Sequence, residues 1–291
     1  MSDASAVSRP VFDVVINHFA GSDDKAHIVA SALFALSLSV RQKEVREVIL
    51  VDGSPEPDPH LRGEVERMGG RYHHEGRRLS FAEGYNAGAA LTGADWIVLS
   101  ASDVYPSLDF FEKAAAFIAR TDADEIGCIV PRLTHSDLPT QTSRLKRKEV
   151  CVIPVMTLNL NILQRKVFFE IGGVPEHFSG AFNDVEMAIR LHGAGRRIFM
   201  LPDVCTHYGS LTIAAPGTSY RWTKDLATFR ERHPAFALDE GFWAMDVSKL
   251  SGGPAALALR LATRLSPARF RGRALGRVMS ALPLLAPIRR R

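Results

Sequence analysis

Residues 95–106 read DWIVLSASDVYP and contain the clearest signal for a buried strand in the chain. Residues 95–101 form a short apolar run that predicts a buried β-strand. Polar residues, Ser102 and Asp103, follow the run directly, at the point where the strand would end. In open α/β sheets ligands bind beyond the carboxyl ends of the strands, so we expect a ligand site here.

Toward the N-terminus, strand and helix patterns alternate. Residues 11–17 (VFDVVIN) and 47–53 (EVILVDG) are short β-branched runs that end in turn residues. A third extended piece at 70–75 leads into a predicted helix at 81–91. Between the first two runs, apolar residues recur at every fourth position and predict one face of a helix, namely Ile28, Ala32, Leu36 and Val40.

The alternation continues after residue 103. Ser107 is predicted to be the N-cap of a helix over 108–120, and residues 126–133 (IGCIVPRL) predict another strand. A β-α-β-α-β order with short connections predicts an α/β fold. We expect a doubly wound, mostly parallel, Rossmann-like sheet.

The second half of the chain changes character. Residues 135–148 (HSDLPTQTSRLKRK) are polar and basic and predict a mobile loop. Helices are predicted at 159–170 and 184–192, and a strand at 197–201.

Composition excludes several classes of protein. The 291 residues are 46% hydrophobic and 23% charged, an ordinary balance for a soluble globular protein. Three cysteines are too few for a disulfide framework, so we expect buried thiols and a reducing compartment. No apolar stretch reaches about 18 residues, which argues against a spanning helix. Residues 1–10 lack the apolar core of a signal peptide.

The basic charge is concentrated at the C-terminal end. Residues 250–291 contain nine Arg and no Asp, Glu or Lys, so without them the net charge of +4 becomes −5. A nucleic-acid-binding domain would carry its positive charge on the folded body, so we expect no nucleic-acid partner. Residues 255–265 and 268–282 interleave apolar residues with Arg, which favours a basic amphipathic helical tail on an anionic membrane surface. A solvated, partly disordered arm is the alternative.

Four segments occur in an order that resembles the family-2 glycosyltransferases of the GT-A fold. They are residues 48–58 (VILVDGSPEPD), 81–88 (FAEGYNAG), 97–106 (IVLSASDVYP) and 171–207, which begins IGGVPEHF and contains FNDVEMAIRLHGAG. The resemblance extends over residues 11–210. It implies a GT-A domain over residues 1–249 with the tail, residues 250–291, appended.

The resemblance implies a nucleotide-sugar donor and assigns residues to it. Asp52 matches the family's acid that accepts hydrogen bonds from the nucleotide base, and Asn17 lies at the neighbouring strand end. Arg77 and Arg78 precede the second segment, where they can reach the base or the diphosphate. Asn86 belongs to the family's A-x-N-x-G stretch, whose small residues let the helix pack close to the sheet. The alternatives are a turn-forming Asp52, a solvated arginine pair and a purely structural Asn86.

The third segment corresponds to the family's D-x-D motif, whose carboxylates hold Mg²⁺ or Mn²⁺ against the diphosphate. Here the motif is incomplete, because the acids would fall at Ala101 and Asp103 or, in a shifted register, at Ser100 and Ser102, and only Asp103 is an acid. Ser102 and Asp103 are predicted to contact the donor. His207 matches the family's histidine at the metal or diphosphate and is predicted to be a second metal ligand beside Asp103. Whether Mg²⁺ or Mn²⁺ is required stays open.

The fourth segment assigns the catalytic base. Asp184 matches the family's aspartate that deprotonates the acceptor hydroxyl during an inverting transfer. Asn183 stands where the family has Glu. Glu186 and Arg190 lie four residues apart on one helical face, so they are either acceptor-side residues or a simple ion pair.

These matches predict an inverting hexosyl- or deoxyhexosyltransferase with a glycan or lipid-linked acceptor in surface-polysaccharide synthesis. Residues 11–130 are expected to bind the donor, and residues 131–249 to supply the base and the acceptor surface. The expected location is cytoplasmic, at the inner face of the membrane. One alternative is a degenerate nucleotide-sugar-binding scaffold protein. A nucleotidyltransferase is disfavoured because no Gly-rich, basic triphosphate loop follows Asn17.

Overall fold

The chain folds around one mixed sheet, seen in a computed structural model that describes residues 10–20, 25–136, 138–143, 145–209, 222–236, 253–267, 274 and 278. Within these residues the strands are β1 Phe12–His18, β2 Val45–Asp52, β3 Arg71–His73, β4 Trp96–Ala101, β5 Val104–Tyr105, β6 Ile126–Leu133, β7 Cys151–Ile153, β8 Leu160–Gln164 and β9 Arg197–His207. The helices are α1 Lys25–Ser39, α2 Pro59–Arg67, α3 Phe81–Ala90, α4 Phe110–Ile118, α5 Arg165–Glu170, α6 Asn183–Gly193, α7 Trp222–Arg232 and α8 Pro254–Leu265, with a 3₁₀ turn at Pro139–Gln141.

The strand order is β3-β2-β1-β4-β8-β6-β9-β5, and β7 also pairs with β9. The strands β3, β2, β1 and β4 are parallel to one another, and β6 and β9 are parallel to each other. Between them β8 is antiparallel to both β4 and β6, so these six strands run in one direction. The predicted mostly parallel α/β sheet is confirmed.

Helices cover both faces of the sheet, as expected for a doubly wound fold. Val14 and Ile16 of β1 pack on one face in a core that includes residues of α1, α2 and α4. Val15 points to the other face and joins a core that includes residues of α3, α5, α6 and α7. The alternation follows from the two-residue period of a strand. All three cysteines are buried and free.

Small residues bring α3 close to the sheet, as the sequence predicted. A methyl group on Gly88 would overlap the Val15 side chain, and one on Gly84 would overlap the Asn17 amide. The short distance places the N-terminal turn of α3 directly beside the end of β1.

Two local expectations were wrong. Residues 159–170 were expected to form one helix, but the first part is strand β8 and only Arg165–Glu170 is helical. The apolar residues of β8 are buried on both faces, and such a run cannot be told from a buried helix by periodicity. Helix α4 begins at Phe110 with Asp109 at the N-cap position, while the Ser107 hydroxyl donates to the Asp109 carboxylate at 3.1 Å. Within residues 135–148, which were expected to form a mobile loop, Gln141 and Leu145 are buried.

Part of the expected tail is a helix. α8 buries Ala256 and Leu259 and exposes Leu257, Leu261 and Leu265. Most of the second expected segment, residues 268–282, lies outside the described residues. In the described part of the chain no helix has both the length and the hydropathy needed to cross a membrane.

Candidate active site

Predicted polar residues meet at the carboxyl ends of three neighbouring strands. β1 lies between β2 and β4, and Asn17 pairs with Val51 on one side and with Ala101 on the other. Asp52 is the last residue of β2, and Asp103 follows the end of β4 by two residues. This is the edge of the sheet at which α/β proteins bind ligands.

Asp52 is fully buried, and both of its oxygens accept hydrogen bonds. Oδ1 accepts from the backbone N–H of Ser54 at 3.0 Å, and Oδ2 accepts from the Tyr72 hydroxyl at 2.7 Å. Burial, together with the bond to Asp52, raises the pKa of the Tyr72 phenol, so it remains a donor. These contacts support the interpretation of Asp52 as a turn-forming residue. Each carboxylate oxygen can accept a second bond, so a base N–H is still compatible with it.

The two predicted asparagines tie α3 to its surroundings. The Asn17 side-chain amide donates to the carbonyl of Phe81 at 2.9 Å. Asn86 donates to the carbonyl of Val174 and accepts from the N–H of Val174, both at 2.9 Å, and also donates to Glu176 at 2.8 Å. Asn86 thus fixes the turn after α5, which is the structural role left open by the sequence.

The arginine pair lies just before α3. Arg77 forms an ion pair of 2.8 Å with Glu83, and the Arg77 side chain is 56% exposed. Glu83 also completes a capping box with Ser80 at the start of α3. The Arg78 guanidinium lies over the Phe19 ring at 5.0 Å. Both cations therefore lie beside the N-terminus of α3, where the helix dipole favours an anion.

The predicted metal ligands come together although they are 104 positions apart in sequence. Antiparallel pairing of β5 with β9 places Asp103 Oδ2 3.6 Å from His207 Nε2. Both residues are buried. His207 Nδ1 lies 2.8 Å from the carbonyl oxygen of His135, to which an Nδ1–H can donate, and 3.5 Å from the Asn159 amide nitrogen. Ser102 is also buried here, and its carbonyl accepts from the Ser31 hydroxyl at 3.0 Å.

A carboxylate oxygen and an imidazole nitrogen are both donor atoms that a divalent ion such as Mn²⁺ accepts, so the chemistry of the pair fits such an ion. The outward Nδ1–H bond is the arrangement that commonly orients a metal-bound histidine. The protein supplies few ligands, however. Among the described residues, no group of three or more His, Cys, Asp or Glu side chains is arranged to hold a metal ion.

Asp184 is the second residue of α6 and is partly buried. Its Oδ1 accepts from the N–H of Val185 at 2.8 Å. The residue before the helix, Phe182, has φ of 65°, and it is the one described non-glycine residue in the left-handed region. Asn183 is buried and donates to the carbonyl of Pro175 at 2.6 Å. A rigid and locally strained entry to α6 therefore precedes Asp184.

Glu186 and Arg190 form the ion pair that the sequence left as one alternative. Arg190 Nη2 donates to Glu186 Oε1 at 2.6 Å. Glu186 is 1% exposed and also contacts His177 at 2.9 Å, His233 at 3.0 Å and Arg232 at 3.3 Å. Burial opposes ionisation, but the hydrogen bonds from these four side chains outweigh it and lower the pKa of Glu186 to about 2. Glu186 is therefore held as a carboxylate between α6 and α7.

Sequence reasoning missed the contribution of α7. The helix supplies Arg232 to Glu186, Phe229 to an aromatic cluster, and the buried Asp225 to the loop before α6, and His233, directly after the helix, also contacts Glu186. The only local signal was an Asp, a Phe and an Arg-His pair at positions 225, 229 and 232–233, a spacing that places them near one face of a helix.

Comparison with known proteins gives a family match. The model of glycosyl transferase family 2 matches residues 30–186, which is more than half of the chain. No match is found among curated proteins.

Solved structures are similar in fold at low sequence identity. The mannosyltransferase PcManGT from Pyrobaculum calidifontis, in complex with GDP-Man and Mn²⁺, has a TM-score of 0.56 at 17% identity, covering 97% of this chain and 82% of its own. S. aureus TarS 1–349 in complex with UDP-GlcNAc has a TM-score of 0.53 at 16% identity, covering 96% and 93%. Glucosyl-3-phosphoglycerate synthase from Mycobacterium tuberculosis has a TM-score of 0.53 at 13% identity, covering 79% and 82%.

Proposed function

The chain belongs to glycosyl transferase family 2 and has the GT-A fold, and on that premise we propose that it is an inverting glycosyltransferase. It would transfer a hexose or deoxyhexose from a nucleoside diphosphate sugar to a glycan or lipid-linked acceptor in surface-polysaccharide synthesis. The observation that carries the proposal is the approach of Asp103 and His207 at the ligand-binding edge of the sheet.

Asp184 is the proposed catalytic base. Its carboxylate takes the proton of the acceptor hydroxyl as the hydroxyl oxygen forms a bond to the anomeric carbon. The bond from that carbon to the diphosphate breaks on the opposite face, and the nucleoside diphosphate leaves with the bonding electrons. Placement at the start of a helix suits this role, because the carboxylate is presented from a rigid element.

Asp103 and His207 are the residues that would hold Mg²⁺ or Mn²⁺, with Ser102 beside them. When bound, such an ion neutralises the charge that develops on the leaving diphosphate. Two protein ligands are few, so we expect the diphosphate oxygens to complete the ion's coordination. The proposal therefore predicts that Mg²⁺ or Mn²⁺ binds appreciably only after the sugar nucleotide has bound.

The donor would extend along the same edge of the sheet, over residues 11–130. Asp52 is proposed to accept from the nucleotide base, and Arg77 or Arg78 to donate to the diphosphate. Asn17 and Asn86 support the site by fixing α3 against β1 and against the turn after α5. Residues 131–249 would supply the base and the acceptor surface, where Glu186 and Arg190 hold α6 in place.

Attachment to the inner, cytoplasmic face of a membrane is proposed for α8 and the residues that follow. Leu257, Leu261 and Leu265 recur at every fourth position on an exposed face, with Arg260 and Arg264 in the same helix. Replacing the three leucines with serine removes exposed apolar area while leaving the buried Leu259 in place. The variant should lose co-sedimentation with vesicles rich in phosphatidylglycerol at low salt. Equal recovery of variant and wild type would contradict the membrane role.

The transfer proposal is tested by release of nucleoside diphosphate from UDP-glucose, GDP-mannose and dTDP-rhamnose with Mn²⁺. Asp184→Asn keeps the shape of the side chain but takes no proton, so turnover of the preferred donor should fall by roughly 10²–10⁴-fold. Nucleoside diphosphate binding, measured by calorimetry, should be unchanged. Glu170→Gln on the exposed end of α5 is the matched control and should retain full turnover.

Two outcomes would contradict the proposal. Binding of nucleotide without turnover in the wild type would favour the scaffold alternative. Full turnover in Asp184→Asn would show that another group is the base.

A further inference from the structure

One buried carboxylate on α7 holds the loop that leads to the proposed base. Asp225 is 1% exposed. Its oxygens accept from the backbone N–H groups of Ser179 at 2.9 Å, Gly180 at 3.2 Å and Ala181 at 3.0 Å, and from the Ser179 hydroxyl at 2.8 Å. Hydrogen bonds to an ionised acceptor are roughly twice as strong as neutral ones. Three successive loop N–H groups are therefore fixed by a side chain more than 40 positions away in sequence.

The next residue in the loop is held by the same helix. The Phe229 ring stacks on the Phe182 ring, with centroids 5.0 Å apart and 22° between the planes. Phe182 lies in the left-handed region with φ of 65°, a conformation that is strained for a bulky side chain. Such a residue keeps its conformation only where its surroundings hold it. The contacts of Asp225 and Phe229 provide that hold.

Asp184 follows Phe182 by two residues, so the direction in which α6 starts decides where the Asp184 carboxylate lies. We propose that Asp225 is a positioning residue that holds residues 179–182 in the one conformation that aims Asp184 at the acceptor hydroxyl. This inference rests on the proposed role of Asp184. Misplacement of a reacting group by about 1 Å is enough to reduce a rate by about 10²-fold.

The residues of α7 lie beyond the end of the family match at residue 186. The family match therefore does not extend to Asp225, whose contacts with residues 179–181 belong to the C-terminal part of this chain. Within α7, Arg232 contacts Glu186 of α6 and Asp225 contacts the preceding loop, so two separate contacts fix both sides of Asp184.

The test uses the full chain, with nucleoside diphosphate release from the preferred sugar nucleotide as the readout. Asp225→Asn replaces one accepting oxygen with an amide group that cannot accept. We expect kcat to fall by about 10-fold, while the donor KM and the calorimetric affinity for the nucleoside diphosphate change less than twofold. Asp124→Asn is the control, because that carboxylate is 74% exposed and pairs only at the surface with Lys166 and Arg196.

A double-mutant comparison shows whether Asp225 acts through Asp184. If it does, Asp184→Asn combined with Asp225→Asn should be no slower than Asp184→Asn alone. The positioning role would be overturned if the two substitutions reduced kcat independently, so that their effects multiply in the double variant. It would also be overturned if Asp225→Asn kept full activity, or if its affinity for the donor fell as much as its kcat. Full activity of Asp184→Asn would instead overturn the proposed function. Ser179→Ala removes one of the bonds to Asp225 and provides the same comparison, with about a twofold effect, if Asp225→Asn does not fold.

Discussion

The proposed donor side and the proposed acceptor side of the molecule each contain a buried acid near a histidine, and the contacts of these two acids differ. On the acceptor side, Glu186 accepts hydrogen bonds of 2.6–3.3 Å from side chains of α6, α7 and the loop between α5 and α6. On the donor side, Asp103 faces His207 Nε2 at 3.6 Å, wider than a hydrogen bond. Glu186 therefore joins α6 to the elements packed around it, whereas Asp103 and His207 are the pair that we propose to hold a metal ion.

The largest expected effect is on the donor side. Asp103→Ala and His207→Ala each remove one proposed metal ligand, so turnover with Mn²⁺ should fall by about 10²–10³-fold, or roughly 3–4 kcal/mol. The free energy of unfolding without ligand should change much less. The measurement is nucleoside diphosphate release at several Mn²⁺ concentrations.

His135→Ala is the matched control for this pair. It removes the neighbouring ring, whose centroid is 5.6 Å from that of His207, but keeps the backbone carbonyl that orients Nδ1. It should retain most of the turnover. If both ligand variants keep the wild-type rate and the same response to EDTA, the metal role is lost in this chain.

The next effect is on the acceptor side and concerns stability. Glu186→Gln removes the buried charge that four side chains share, and it leaves the arginines without a counterion. We expect a loss of about 3 kcal/mol in the free energy of unfolding at pH 7, measured with urea. Glu64→Gln, which breaks a surface pair with Arg67, should change the free energy of unfolding far less. Equal costs for the two variants would mean that the Glu186 cluster adds nothing to stability.

The same cluster gives a pH dependence of known sign. The folded-state pKa of Glu186 is about 2, below the usual 4.5, so its stabilisation is present above pH 4.5 and is lost as the pH falls toward 2. The wild type should lose about 3 kcal/mol more than Glu186→Gln over that interval. Unfolding curves at several pH values measure this difference. A parallel decline in both proteins would contradict the assignment to Glu186.

A smaller effect tests the packing of the donor side. Gly88→Ala forces a methyl group into the Val15 side chain and should destabilise the protein by about 1–3 kcal/mol. Gly63→Ala in α2 is the control, because a methyl group there meets nothing within 4 Å. Since alanine favours a helix more than glycine does, that variant should be neutral or slightly more stable. The two thermal unfolding midpoints should therefore move in opposite directions or differ clearly.

These two sides also differ in how far the sequence predicts them. The strand ends that carry Asn17, Asp52 and Asp103, and the small residues of α3, follow from local patterns, because each strand and helix shows its own period. The sequence did not predict strand β8, because a run that is buried on both faces lacks the alternation of apolar and polar residues that indicates a strand. The contacts of Asp225 with residues 179–181 could not be predicted, because the sequence around a single acid does not indicate a partner more than 40 positions away.

The smallest expected effect on stability and turnover concerns a single arginine, Arg77. Arg77 is 56% exposed and its pair with Glu83 is solvated, so Arg77→Gln should lower the free energy of unfolding by less than about 1 kcal/mol. If Arg77 donates to the diphosphate, losing that charge-assisted bond should raise the donor KM about 10-fold and leave kcat nearly unchanged.

Arg190→Gln is the acceptor-side counterpart. Arg190 is 28% exposed and bonds both Glu186 and the carbonyl of Ile171, so its loss should reduce stability and leave the donor KM unchanged. Steady-state kinetics and urea unfolding of both variants decide the matter. A wild-type donor KM in Arg77→Gln would remove Arg77 from the donor site and make it a solvated surface charge.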